Sequence, residues 1–338
     1  MSYYLAAIIA TFSLVSAVPK AQSQNNPTGA PAEAALDISR SSRWIESAPI
    51  RALPPLNLSA ALRPQDLISY VAPGVLFPVR NIGLQCQGVN ATLADVPQRM
   101  AIAKTSAGTV ETRFGEVDLD GVRAFRLQTN AVDVLPDGVS PRCELVAYPM
   151  PGSALPQAES FWLAFSFWAD DWSGTQDEQL IAQMHVQEPR NTLLNPFFAL
   201  VVRGNAMRLE LRYNDGTVPD KASTQLVTAA RLPMPVRQWT TAVVQARIST
   251  QAKQAPFLRM WLNGRLVADY AGPLGYVLPP GGFAYQKVGI YHWIADNPWD
   301  FKIPVRALLV GAMIAVRDAD GRYSHDALEA SITPRVRR

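Results

Sequence analysis

Three short stretches carry side chains suited to moving protons next to an anion. The first is Tyr285 to His292, read Tyr-Gln-Lys-Val-Gly-Ile-Tyr-His. As a strand it puts Tyr285, Lys287, Gly289 and Tyr291 on one face and Gln286, Val288, Ile290 and His292 on the other. One face then offers two phenols and an ammonium. Gly289 is expected to leave room there for a bulky ligand, and a phenol near a fixed cation can titrate below its usual pKa of about 10. His292 is expected to point away from that face. The second stretch is Leu180 to Gln187. Leu180, Ala182, Met184 and Val186 form an apolar face; Gln183, His185 and Gln187, with Ile181, form the other. The third is Ser140 to Tyr148, in which Arg142 and Glu144 share a face opposite Cys143, Leu145 and Ala147. Glu144 could hold the Arg142 fork in place for a ligand carboxylate, since a guanidinium pairs bidentately with carboxylates.

Taken in order, Arg-x-Glu-Leu at 142–145, Gln-x-His at 183–185 and Tyr-x-Lys-x-Gly-x-Tyr at 285–291 resemble the motif set of the jelly-roll polysaccharide lyases. That group includes alginate lyases, glucuronan lyases and heparin lyase I-type enzymes. The likeness runs roughly from Leu127 to Val316 and includes the text before the second and third motifs, Phe161 to Trp172 and Phe257 to Tyr276. It implies β-elimination on a uronate polymer. A base takes the proton beside the carboxylate, the glycosidic oxygen leaves with a proton from an acid, and the carboxylate is neutralised so that the developing charge is stabilised.

By the same resemblance, Gln183 would donate to the carboxylate and Arg142 would bind it or a neighbouring one. His185 would be the base or a second neutraliser, and Tyr291 the acid or the shared acid and base. Lys287 would tune Tyr291 or bind an anion, and Tyr285 would position sugar. Glu144, Gln187, Arg208 and Arg212 complete the expected substrate-binding set. The partner is an acidic polysaccharide, with glucuronan or alginate the first choices because no dense Lys/Arg run suits a heavily sulfated chain. No cofactor is required by the chemistry; calcium is compatible with such folds, although no oxygen-ligand loop stands out.

The elements around these motifs read as strands. Gly121 to Gln128 is one. Phe161 to Trp168, aromatic on both faces, suits a central strand of a sandwich. Ala199 to Arg203 and Met207 to Tyr213 form a hairpin across Gly204-Asn205. Trp239 to Ile248 follows. Phe257 to Leu262 and Arg265 to Tyr270 are joined by Asn263-Gly264, a pair that tolerates the positive φ of a type I′ turn. Val305 to Val316 ends the series, while Asp66 to Ala72 reads as either helix or strand. Many short strands with Gly/Pro turns mean an all-β protein. The resemblance makes it a β-jelly-roll sandwich of concanavalin A-like type, two antiparallel sheets with a concave substrate groove. The loops 170–178 and 188–196 are expected to overhang that groove.

The 338 residues are 48% hydrophobic and 17% charged, ample for one large core, and the net charge of +3 does not suggest a nucleic-acid binder. The apolar run Leu5 to Val18 is too short for an ordinary membrane span and reads as an export signal. The organisation expected is therefore 1–21 signal peptide, 22–48 flexible leader and 49–338 a single lyase domain, secreted or periplasmic, free of the membrane after cleavage, and monomeric. Cys86 and Cys143, the only cysteines, suit a disulfide in an exported protein.

Two other functions fit the same scaffold. A glycoside hydrolase needs paired carboxylates across the cleft, with Asp170, Asp171, Asp177 and Glu178 as the candidates. A noncatalytic lectin-like module would keep the groove but needs neither His185 nor Tyr291. His325, in a polar tail segment, is expected to be solvated.

Overall fold

A computed structural model describes residues 62–73, 82–86, 89–92, 104–105, 108–109, 113–129, 142–147, 154–173, 178–187, 194–216, 219–293 and 306–334. The export signal and leader lie outside the described residues, as do 174–177 and 188–193 of the two loops expected to overhang the groove. The strands are β1 (Leu67–Val71), β2 (Ile82–Cys86), β3 (Val89–Thr92), β4 (Lys104–Thr105), β5 (Gly108–Thr109), β6 (Phe114–Leu119), β7 (Val122–Thr129), β8 (Arg142–Ala147), β9 (Ser160–Ala169) and β10 (Glu178–Gln187). They continue as β11 (Phe198–Arg203), β12 (Ala206–Asn214), β13 (Gln225–Pro233), β14 (Thr240–Arg247), β15 (Phe257–Leu262), β16 (Arg265–Ala271), β17 (Gly275–Tyr276), β18 (Phe283–Trp293) and β19 (Arg306–Arg317). Among the described residues one α-helix, α1 (His325–Ile332), follows. No helix among the described residues is long and apolar enough to cross a membrane.

Two sheets make the sandwich. One runs β16-β15-β14-β9-β19-β7-β6, with β1 also on β19; the other runs β13-β12-β11-β10-β18-β8-β2-β3, with β17 added to β12. Apart from that short parallel β12–β17 pair, the ladders of both sheets are antiparallel. Alternation explains the core between them. Phe161, Leu163, Phe165 and Phe167 of β9 meet Ala182, Met184 and Val186 of β10 and Val288 and Ile290 of β18 in one apolar cluster. The other side of β9 is apolar too. Trp162 and Ala164 join Ile314, Val316, Leu328 and Ile332 beneath α1. That second layer is why β9 is buried at every position. The Asn263-Gly264 hairpin forms as expected, with φ of 46° and 72°.

Several expectations are corrected. Asp66 to Ala72 resolves into both candidates, a 3₁₀ turn at Pro64–Asp66 running into β1. The strict alternation read through Leu180 to Gln187 fails at its start. The register of β10 shifts between Leu180 and Ala182 against both neighbours. Ile181 therefore turns into the core with Ala182, while Leu180 packs on the opposite face with Ala199, Val201 and Tyr291. A bulge of this kind reverses every side chain upstream of it. His325 opens α1 and is half-buried, stacked on Trp261 with ring centroids 5.1 Å apart.

Candidate active site

The outward positions of β8, β18 and β10 form the site. Lys287 stands opposite Gln183 on one side and Val146 on the other; Gly289 stands opposite Glu144, and His185 opposite Tyr285. Residues directly opposite in an antiparallel pair share a face, so the three motifs converge because the strands that carry them are neighbours in the sheet.

At the floor is a buried polar chain. Gln183 Nε2 donates to Glu144 Oε1. The Lys287 ammonium lies 3.6 Å from Glu144 Oε2 and donates to Gln85 Oε1 at 2.9 Å. Glu144 is 1% exposed, Gln183 2% and Lys287 5%. Isolated charges at such depth are costly, and here each is paired and hydrogen-bonded. Burial still pulls Lys287 below its ordinary pKa, with Glu144 opposing the shift. Glu144 therefore serves Gln183 and Lys287, whereas the Arg142 guanidinium lies over the Tyr291 ring, 4.3 Å from its centroid. The expected clamp of Glu144 on Arg142 is replaced by this arrangement.

Above the floor stand His185 and Tyr285, ring centroids 5.7 Å apart. The His185 pKa is pushed down to about 4 by burial and then by the charges of Lys287 and Arg142, so the imidazole is neutral at neutral pH. Its Nδ1 lies against the next peptide, 2.8 Å from Val186 N and 2.7 Å from Val186 O; in the tautomer that donates Nδ1–H to that carbonyl, Nε2 carries the lone pair that can take a proton. Lys287 Nζ is 5.6 Å from the Tyr285 ring centroid.

Tyr291 stands opposite Leu180 and Arg142, and the Arg142 guanidinium that lies over its ring also acts on His185. The phenol beside His185 and Lys287 is that of Tyr285. Gly289 is also reinterpreted: a Cβ there would lie 2.3 Å from Cys143 O and 2.5 Å from Glu144 Cα. The missing side chain admits the neighbouring backbone, not a ligand. His292 is 1% exposed on the inner face, opposite the equally buried Gln179, as alternation required.

Of the outlying candidates, Gln187 ends β10 and is exposed. Arg208 is paired with Glu178 at 2.8 Å and with Glu210. Arg212 is 5% exposed, paired with Glu210, and donates to Pro196 O at 3.1 Å, so a substrate meets its fork already engaged. Of the hydrolase carboxylates, Asp170 is paired with Arg237 at 3.0 Å and Glu178 with Arg208, Asp171 accepts from Ser173 N–H at 2.8 Å, and Asp177 lies outside the described residues. Gln85 escaped the sequence reading: its strand is short and contains a glycine, and only its neighbour Cys86 gave a signal. Cys86 and Cys143 are disulfide-bonded and opposite each other in register, which sets Gln85 opposite Glu144. A cavity of about 150 Å³ lies elsewhere, between Arg63, Asp66, Glu159, Arg317 and Arg322. Its charges are largely matched internally, Arg63 to Asp66 at 2.7 Å and Arg322 to Asp320 at 2.8 Å. We assign it as a tie between the start of the domain and its C-terminal loop.

With this geometry in place, comparison with known proteins gives the class. A model of the polysaccharide lyase family matches residues 102–306, and the chain belongs to that family. It is accordingly an enzyme, a polysaccharide lyase. Among solved structures it is similar to the family 7 alginate lyase A1-II′ in complex with substrate, at 14% identity over 75% of this chain and 98% of that one, with a TM-score of 0.50. It is also similar to the alginate lyase AlgAT5 from polysaccharide lyase family 7 (14% identity, 73% of this chain and 99% of that one, TM-score 0.49). A third is an endo-β-1,4-glucuronan lyase from the fungus Trichoderma reesei (13%, 61% and 87%, 0.48). At these identities the likeness is one of fold, the β-jelly roll. No curated protein matches the chain.

Proposed function

We propose that this lyase cleaves a uronate-containing acidic polysaccharide by β-elimination and leaves an unsaturated uronate at the new end. The observation that carries the reading is the pairing of a neutral imidazole and a phenol on the same sheet face as a buried amide, one same-face position along β10. Those are the parts an elimination beside a carboxylate needs. Gln183 has given one amide hydrogen to Glu144 and has a second to give to the substrate carboxylate. Glu144, itself fixed by Lys287, prevents that amide from rotating. Arg142 supplies positive charge at the edge of the site.

In the step itself, His185 takes the proton from the carbon next to the carboxylate. The electron pair of that C–H bond becomes the new C=C bond, and the glycosidic C–O bond on the adjacent carbon breaks. Tyr285 hands its phenolic proton to the departing oxygen. Burial first, and then the charges of Lys287 and Arg142, keep His185 unprotonated, so the base is available well below neutral pH. The substrate is glucuronan or alginate, and the protein acts outside the cytoplasm after losing residues 1–21. Residues 49–338 form the single catalytic domain.

The test is ultraviolet absorbance of the unsaturated product during incubation with glucuronan, alginate blocks, heparin, hyaluronan and pectate. Absorbance rising on a uronate polymer, and abolished by His185→Ala, supports the proposal. Release of reducing ends without absorbance would overturn it in favour of hydrolysis.

A further inference from the structure

The outward positions of the nine-stranded sheet line up across strands as well as along them. One row reads Arg142, Tyr291, Leu180, Val201, Arg208 and Arg231, each residue directly opposite the next on β8, β18, β10, β11, β12 and β13. At its far end two arginines face each other. Arg208 is matched by Glu178 and Glu210. Arg231 is exposed on the edge strand and has no partner among the described residues. Its neighbours Ala230 and Leu232 pack against the core, which fixes the Arg231 side chain on the site face. Like charges directly opposite each other destabilise a sheet; Glu178 is taken by Arg208, and Glu210 is shared between Arg208 and Arg212. This corner therefore keeps an excess of positive charge pointed along the site face.

We propose that Arg208 and Arg231 form a distal subsite that binds a carboxylate of the same polymer several sugars away from the bond being cut. The inference rests on the uronate-lyase reading. At the usual strand separation Arg231 lies three strands from β10, about 14 Å across the sheet. A single uronate at the His185–Tyr285 pair cannot reach it, whereas a polymer lying across the strands can. Arg208, held by its two carboxylates, sets the position; Arg231 supplies the unmatched charge. The subsite makes the enzyme prefer long chains and makes that preference sensitive to salt.

The test uses the full chain and Arg231→Gln, on whichever uronate polymer is cleaved and on a size series of its oligosaccharides. The expected result is a KM on polymer raised about fivefold, the scale of one exposed charge contact, with kcat retained and the KM ratio falling toward one as the oligosaccharides shorten. Added salt should narrow the difference. Melting temperature checks the alternative, an edge charge that only protects against strand pairing; the variant should melt no lower than the parent. An unchanged KM on polymer, or an equal rise on the shortest cleaved oligosaccharide, overturns the subsite. Should no polymer be cleaved, the lyase reading fails by itself. Electrophoresis through gels containing each uronate polymer then decides the subsite: retardation of the parent but not of Arg231→Gln supports it, and equal mobility overturns it.

Discussion

On the eight-stranded sheet the outward positions of β9 and β19 are Trp162, Ala164, Ala312, Ile314 and Val316, and α1 lies over them. On the nine-stranded sheet the outward positions of β8, β10 and β18 include Arg142, Glu144, Gln183, His185, Tyr285, Lys287 and Tyr291. Both faces follow the same period-two rule over the same core. They differ in what the outward residues require. An apolar outward row needs a cover and finds one in a helix with two buried side chains, Leu328 and Ile332. A polar outward row buried this deeply needs internal partners, and Gln85, Glu144, Lys287 and Gln183 supply them to one another. One face spends its side chains on stability and the other holds them ready for a ligand.

That contrast can be broken from either side. His185→Ala, on the polar face, should lower kcat by about 10²–10⁴-fold with no loss of secondary structure by circular dichroism. Leu328→Ala, on the covered face, should cost about 2–5 kcal/mol of stability in denaturant titration while the folded fraction keeps its kcat. Loss of activity in proportion to nothing but Leu328 would mean that the two faces are coupled through the core. Reduction of the Cys86–Cys143 bond should also cost about 2–5 kcal/mol. Unlike the helix variant it should impair turnover as well, because β2 carries the Gln85 that holds Lys287.

The smallest effect expected is on pH. The His185 imidazole is held at about 4 in the fold against 6.5 when unexposed to it. The unfolded chain therefore binds more protons between those values, so stability is intact above about 6.5 and falls as the pH drops toward 4. Lys287→Met removes one of the charges that hold His185 down. The acid limb of the kcat profile should then move to higher pH, and an unmoved limb would separate His185 from proton transfer.

Much of this was legible beforehand because the strands that matter are strongly patterned. Phe161 to Trp168 has no polar face to confuse its assignment, and Asn263-Gly264 dictates its own turn. The three motifs fell on neighbouring strands because each has one apolar and one polar face. What could not be read was register. Alternation tells which residues share a face of one strand, but not which residue of the next strand stands opposite. Tyr285 and Tyr291 are equivalent by periodicity, and only the pairing of β18 with β10 sets Tyr285 beside His185. The bulge at Ile181 left no mark in the text, since Leu180, Ile181 and Ala182 are all apolar. Edge strand β13 was missed because its exposed face mixes Leu226 with Thr228 and Arg231 and a register shift at Ala229 interrupts its alternation. Gly289 was seen but misread, because space for a ligand and space for a backbone look alike until the neighbour is known.

The central claim is that Tyr285, and not Tyr291, is the phenol of the reaction. Tyr285→Phe and Tyr291→Phe, each measured by initial-rate absorbance on the cleaved polymer, test it directly. Tyr285→Phe should lose at least about 100-fold in kcat, and Tyr291→Phe should stay within about tenfold, the scale of a single hydrogen bond. The reverse order would contradict the account and return the proton transfer to the tyrosine under Arg142.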